Sequence, residues 1–314
     1  MSSDPRPSLL LVLGPTGSGK SDLAHEVARR RDGEIVSADA FAVYRGLDVG
    51  TAKPSEERRR EVRYHLIDVA EPSESYSAGR WAKEARAAVE EIAARGRLPI
   101  VCGGSGFYVS ALLEGLPEGD ARALELREAL LRWSEGRELA AYRFLERNDP
   151  VAATRIAPAN SRAVLRALEI LLVTGRAPSS RLPIEDPWAE RFRIVKAGVA
   201  RARSDLYARI ARRVREMLDS GWEREVGGLV EAGISADSNA FVAIGYRELA
   251  AAIRSGSPDR VGTEGEIVRA TRRLAKRQQT WFRREREVVW MTPDEALDRT
   301  LALLDGNARR ERGG

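Results

Sequence analysis

One eight-residue stretch restricts this chain more than any other: Gly14-Pro15-Thr16-Gly17-Ser18-Gly19-Lys20-Ser21. It matches G-x-x-x-x-G-K-[ST]. The apolar run Leu9-Leu10-Leu11-Val12-Leu13 precedes it, and Leu23, Ala24, Val27 and Ala28 follow at helical spacing. A strand, a glycine turn and a helix in that order aim backbone N–H groups and the positive end of a helix dipole at one spot. That arrangement suits phosphate oxygens. Lys20 adds a point charge, and Ser21 adds a hydroxyl that can ligate Mg²⁺. The motif predicts a phosphate or diphosphate site in an α/β sheet and leaves open whose phosphate it holds.

The rest of the first third agrees. Glu34-Ile35-Val36 reads as a strand. The segment 81–95 carries Trp81, Ala85, Ala88, Val89 and Ile92 on one helical side, and Leu98-Pro99-Ile100-Val101-Cys102 reads as another buried strand. This alternation predicts a P-loop-containing parallel sheet flanked by helices. Beyond Gly115 the chain is rich in Arg, Glu, Ala and Leu and shows no strand before about Pro187, with breaks at Asn148-Asp149-Pro150 and Ala157-Pro158. An inserted all-helical subdomain is expected there. Residues 192–199 return to the sheet, and 204 to about 290 read as helical. The expected division is 1–116 with 190–314 for the catalytic core and C-terminal helices, and 117–189 for the insertion.

Several side chains sit where such a sheet puts its ligands, past the C-terminal ends of strands. Asp39 can orient Mg²⁺, act as a general base, or merely cap the following turn. Gly103-Gly104-Ser105-Gly106 is a second glycine turn on the same rim. Its glycines permit close backbone approach, and Ser105 offers a hydroxyl to a phosphate or nucleotide; a plain strand-to-helix connection is the other reading. Arg209 and Arg213, four apart, share one helix face and suit a diphosphate, although such pairs are more often surface charge.

Net charge is only +5 over 314 residues. Much of the excess lies between Arg269 and Arg286, a basic stretch that suits a polyanion or pairs with Glu285 and Glu287. No run of about 18 apolar residues suggests a membrane span. The single cysteine, Cys102, rules out an internal disulfide. The first residues, Met1 to Pro7, show no secretory signal, so a cytoplasmic location is expected by default.

Further segments accompany the phosphate loop in a fixed order: Ala38-Asp39-Ala40-Phe41-Ala42-Val43-Tyr44-Arg45-Gly46-Leu47-Asp48-Val49-Gly50-Thr51-Ala52-Lys53-Pro54, His65-Leu66-Ile67-Asp68 and Gly103 to Tyr108. Arg166-Ala167-Leu168-Glu169, Ile244-Gly245-Tyr246-Arg247 and Lys276 to Arg283 complete the set. Together they resemble the tRNA dimethylallyltransferases, over about residues 9 to 290. The resemblance implies that Gly14 to Ser21, with Arg209 and Arg213, hold dimethylallyl diphosphate with Mg²⁺ on Ser21. The prenyl group would pass to the exocyclic amine of the adenine 3′ of the anticodon, with Asp39 as base and Lys20 and Ser105 as catalytic partners. It also places many residues against the anticodon stem-loop. These are Asp39, Ala40, Phe41, Ala42, Ser105, Arg127, Arg162 and Arg166; Val242 to Arg247 with Gly245 and Tyr246; and Lys276, Arg277, Gln278, Thr280, Trp281 and Arg283. A monomer is the default expectation.

Departures from the family pattern are local. Ser21 and Ser105 replace a frequent threonine, Tyr64 replaces the first of two histidines, Ala163 stands at an often basic position, and Ala40-Phe41-Ala42 is an unusual version of its segment. Three other readings stay open: an adenine-nucleotide prenyltransferase, a small-molecule P-loop kinase, and a nucleotide-regulated RNA-binding protein.

Overall fold

The computed structural model describes residues 4–115, 122–174, 177–180, 187–256 and 259–306. It divides into two compact units, Met1–Leu113 with Pro187–Gly314, and Glu114–Asp186.

The larger unit is built on a six-stranded sheet, with β1 (Ser8–Leu13), β2 (Gly33–Ala38), β3 (Tyr64–His65), β4 (Leu98–Gly103), β5 (Arg193–Val199) and β6 (Val289–Met291). Every pairing is parallel, and the order is β3-β2-β4-β1-β5-β6. Five of the six residues of β1 are buried, as a strand covered by helices on both faces requires. Helix α1 (Lys20–Arg30) follows the phosphate loop and turns Leu23, Ala24, Val27 and Ala28 into the core. Between β2 and β3 runs α2 (Glu56–Glu61). Helix α3 (Ala78–Ala94) starts where the Ser77 side chain accepts the Arg80 N–H, and it buries Trp81, Ala85, Val89 and Ile92. Helix α4 (Gly106–Glu114) leaves the second glycine turn.

In the smaller unit α5 (Arg122–Ser134), α6 (Glu138–Asn148), α7 (Pro150–Arg155) and α8 (Ser161–Thr174) enclose a separate core that includes Leu130, Leu145, Val164 and Leu168. The break at Asn148-Asp149-Pro150 is a helix start. Buried Asp149 accepts the Ala152 N–H, and Pro150 occupies the first turn, where its missing N–H costs nothing.

After β5 come α9 (Arg203–Asp219), α10 (Trp222–Glu231), α11 (Tyr246–Ser255), α12 (Arg260–Phe282) and α13 (Pro293–Leu304). The sequence reading expected only helix from 204 to about 290; β6 is a strand at its end. Strands of two and three residues, such as β3 and β6, are too short to show a period, and both lie at sheet edges.

Register decides where the chemistry gathers. Leu13 of β1 and Ala38 of β2 each pair with Gly103 of β4. Gly14, Asp39 and Gly104 therefore leave three neighbouring strands at one level, on the rim where open α/β sheets bind ligands.

Candidate active site

A cavity of about 730 Å³ opens on that rim, lined among others by Thr16, Lys20, Ser21, Asp39, Ser105, Arg213 and Gln278. Its size suits a small ligand with part of a second one. Lys20 Nζ lies 3.4 Å from the Pro15 carbonyl oxygen. Burial pulls the Lys20 ammonium below the ordinary lysine range, opposed by the nearby Asp39 carboxylate. Burial likewise lowers Arg213, and Asp39 again opposes it. The rim thus sets the desolvated Lys20 and Arg213 and the Asp39 carboxylate around an open space.

The loop is braced from behind. Arg209 Nε donates to the Gly17 carbonyl at 3.1 Å, and Arg201 Nε donates to the Ser18 carbonyl at 2.9 Å. The expected pair is placed differently: Arg213 lines the cavity, while Arg209 bonds the loop backbone through Nε. Ser18 is fully buried beneath the loop.

Asp39 caps the following turn and also faces the cavity. Oδ1 accepts the N–H groups of Phe41 and Ala42 at 2.9 and 3.2 Å, which caps the turn. Oδ2 takes part in neither bond, and the side chain lines the cavity. Ala40, Phe41 and Ala42 continue that wall.

The second glycine turn has a purpose the sequence did not disclose. Gln278 of α12 inserts its amide between the two turns. Its Oε1 accepts the Thr16 N–H at 2.9 Å, and its Nε2 donates to the Gly104 carbonyl at 3.0 Å. A Cβ on Gly104 would stand 2.4 Å from that Nε2, and one on Gly106 would stand 2.1 Å from the Trp281 ring. These two glycines admit α12, with Ser105 held between them. Gln278 and Trp281 were expected against RNA; the amide of Gln278 is turned inward, and the indole of Trp281 packs over Gly106 and against Phe282.

Tyr246 and Gly245 need a plainer correction. Tyr246 is fully buried, its hydroxyl donates to Glu225 at 2.5 Å, and Trp222 covers Gly245. An RNA contact is not available to that side chain. Val242 is exposed and lines the cavity with Ala243 and Ile244, and Arg247 is exposed. Lys276, Arg277, Thr280 and Arg283 all lie on the open side of α12 or its end, with Arg277 at the cavity. Within the smaller unit, Arg162 and Arg166 are exposed on α8, and Arg166 pairs with buried Glu169 at 2.7 Å. The side chain of Arg127 lies outside the described residues.

The family model described as IPP transferase matches residues 42–285. The chain belongs to that family. A tRNA dimethylallyltransferase 1 from Pelobacter propionicus is 44% identical over 91% of this chain and 92% of its own length. A tRNA dimethylallyltransferase from Geobacter metallireducens is 39% identical over 98% and 99%. A solved tRNA isopentenylpyrophosphate transferase from Bacillus halodurans, 35% identical, superposes with a TM-score of 0.70 over 96% of this chain and 97% of that one.

Other side chains support the site without a motif to announce them. Glu225 of α10 accepts the N–H groups of Asp48 and Val49 at 2.8 and 2.7 Å, fixing the loop that continues into the cavity wall at Gly50. Lys53, almost wholly buried, bonds Asp68 at 2.5 Å and Asp48 at 2.7 Å, which joins two of the resemblance segments. Tyr64 lines the cavity with its hydroxyl 2.9 Å from His25 Nδ1, and burial pushes that phenol up to about 12. Arg58 lies beside it, donating to Asp22 at 2.8 Å. A charge in a charge-rich chain gives no local sign of such long-range partners.

Proposed function

We propose that the chain transfers a dimethylallyl group from dimethylallyl diphosphate to the exocyclic amine of the adenine 3′-adjacent to the anticodon in tRNA, releasing pyrophosphate. One observation carries the reading: the free edge of Asp39 shares a cavity with the phosphate loop, Lys20 and Arg213. A base and a cradle for an anionic leaving group are what an allylic transfer to a weak amine needs.

In this reading the loop amides and Lys20 hold the diphosphate, and Arg213 faces it across the cavity. The bond from the allylic carbon to the diphosphate oxygen breaks as the new bond from that carbon to the adenine nitrogen forms. The displaced proton passes from that nitrogen to Asp39. Ser105 is placed to bond the diphosphate or the incoming nucleotide. The adenine reaches the cavity only after leaving its stack. Exposed Lys276, Arg277 and Arg283, together with Val242 to Ile244, suit the RNA; Arg162 and Arg166 on α8 offer further charge to its backbone.

Among the described residues no three His, Cys, Asp or Glu side chains gather into a metal cage. The Ser21 hydroxyl, which lines the cavity, would hold Mg²⁺, an ion that takes few protein ligands and keeps much of its water. It would there neutralise charge on the departing diphosphate. No helix among the described residues is long and apolar enough to cross a membrane. A cytoplasmic monomer is part of the proposal.

The test is incubation with dimethylallyl diphosphate, Mg²⁺ and an anticodon stem-loop, read by mass spectrometry, with AMP as competing acceptor and ATP as competing donor. One dimethylallyl group gained by the RNA is the expected result. Prenylated AMP with unmodified RNA selects the nucleotide prenyltransferase, and phosphoryl transfer from ATP selects the kinase.

A further inference from the structure

Gln278 stands in the most basic helix of the chain, beside Lys276, Arg277 and Thr280, where an amide would ordinarily be free to read a base or a phosphate. Both ends of its amide are engaged inside the protein instead, on Thr16 and Gly104. These two partners belong to separate segments, the phosphate loop after β1 and the turn after β4. Helix α12 touches both through this one side chain.

We infer that Gln278 is a positioning residue for the donor, one that locks the phosphate loop to the Ser105 turn, and not a reader of RNA. The inference rests on reading Gly14 to Ser21 as a diphosphate cradle. Its physical basis is preorganisation. A glycine-rich loop has many backbone states, and ordering them when the anion arrives would consume binding energy. Tying the Thr16 N–H to a helix before the donor binds removes part of that cost, and electrostatic stabilisation works best from fixed dipoles. Gly104 is part of the same device, because any side chain there would displace the Gln278 amide. Trp281, one turn further on, closes over Gly106 and completes the seat of Ser105.

Gln278→Met keeps the length and bulk of the side chain and removes both hydrogen bonds; Gln278→Ala removes the bulk as well. In the full chain, pyrophosphate binding with Mg²⁺ is measured by calorimetry and stem-loop binding by titration. Both variants are expected to weaken pyrophosphate by about tenfold, the scale of one or two lost hydrogen bonds, and to change the stem-loop Kd by less than about twofold. The opposite pattern, weakened stem-loop and unchanged pyrophosphate, would overturn the inference in favour of RNA reading. Wild-type pyrophosphate affinity in the Met variant would also overturn it, since packing alone would then suffice. If the Ala variant fails to fold, the Met variant carries the comparison. A wild-type chain that binds pyrophosphate but prenylates nothing would refute the transfer reading and leave this one standing.

Discussion

Lys20 and Asp39 show how far single residues can be pressed for predictions. Burial lowers the Lys20 ammonium from its ordinary range, so the empty site gives up that proton more readily than a surface lysine does. A bound diphosphate favours the charged form and raises the value again. Donor binding therefore takes up a proton wherever free Lys20 is neutral. Affinity for dimethylallyl diphosphate is expected to be greatest on the acid side of that titration and to fall as pH rises through it. Calorimetry across an alkaline pH series checks this, and Lys20→Met should bind weakly with the pH dependence removed. For Asp39 the informative change is Asn. An amide oxygen can still accept the Phe41 and Ala42 N–H groups and hold the turn, but it cannot take a proton from the amine. Single-turnover transfer should drop by roughly a hundredfold or more, with stem-loop affinity kept. Wild-type turnover in Asp39→Asn would remove the base assignment.

Among elements, the loop spanning Asp48 to Gly50 depends on one carboxylate from α10. Glu225 accepts backbone N–H groups of Asp48 and Val49 and the Tyr246 hydroxyl. Glu225→Ala leaves those donors without their partner, and it should lower unfolding stability by about 2 kcal/mol, read from the shift in urea midpoint. The long elements were legible because their burial is periodic or continuous. Helix α3 showed its apolar side, β1 and β4 showed unbroken runs, and each begins or ends at a capping serine or glycine. The short edge strands β3 and β6 were not legible, since two or three residues cannot display a period. Nor could spacing show that Tyr246 at the start of α11 faces Trp222 and Glu225. The first residue of a helix carries no record of which side a distant helix will cover.

Across the whole molecule the open question is how a chain of net charge +5 would hold a polyanion. Exposed cations of α12 and its end include Arg269, Arg273, Lys276, Arg277 and Arg283, and those of α8 include Arg162 and Arg166. Binding of the anticodon stem-loop should weaken steeply with salt, through release of the counterions those residues replace. A plot of log Kd against log salt for Lys276→Ala or Arg162→Ala should lose about one from its slope if each residue meets a phosphate. An unchanged slope would assign that residue to the solvated surface.

The sequence by itself determined what is local. It specified a phosphate loop after a buried strand, the α/β alternation, the helical insertion and, through its ordered segments, the family. Such features depend on neighbours within a turn or two, and those are written in order along the chain. Only the tertiary structure decided that Asp39, Ser105 and Lys20 face one cavity, because this follows from parallel register across β2, β4 and β1, with β4 inserted between two strands that are consecutive in the chain. It alone turned Gln278 and Tyr246 inward and set Arg209 against the loop backbone while Arg213 lines the cavity. The direction of a side chain is set by whatever packs against it, and here those partners come from remote parts of the chain.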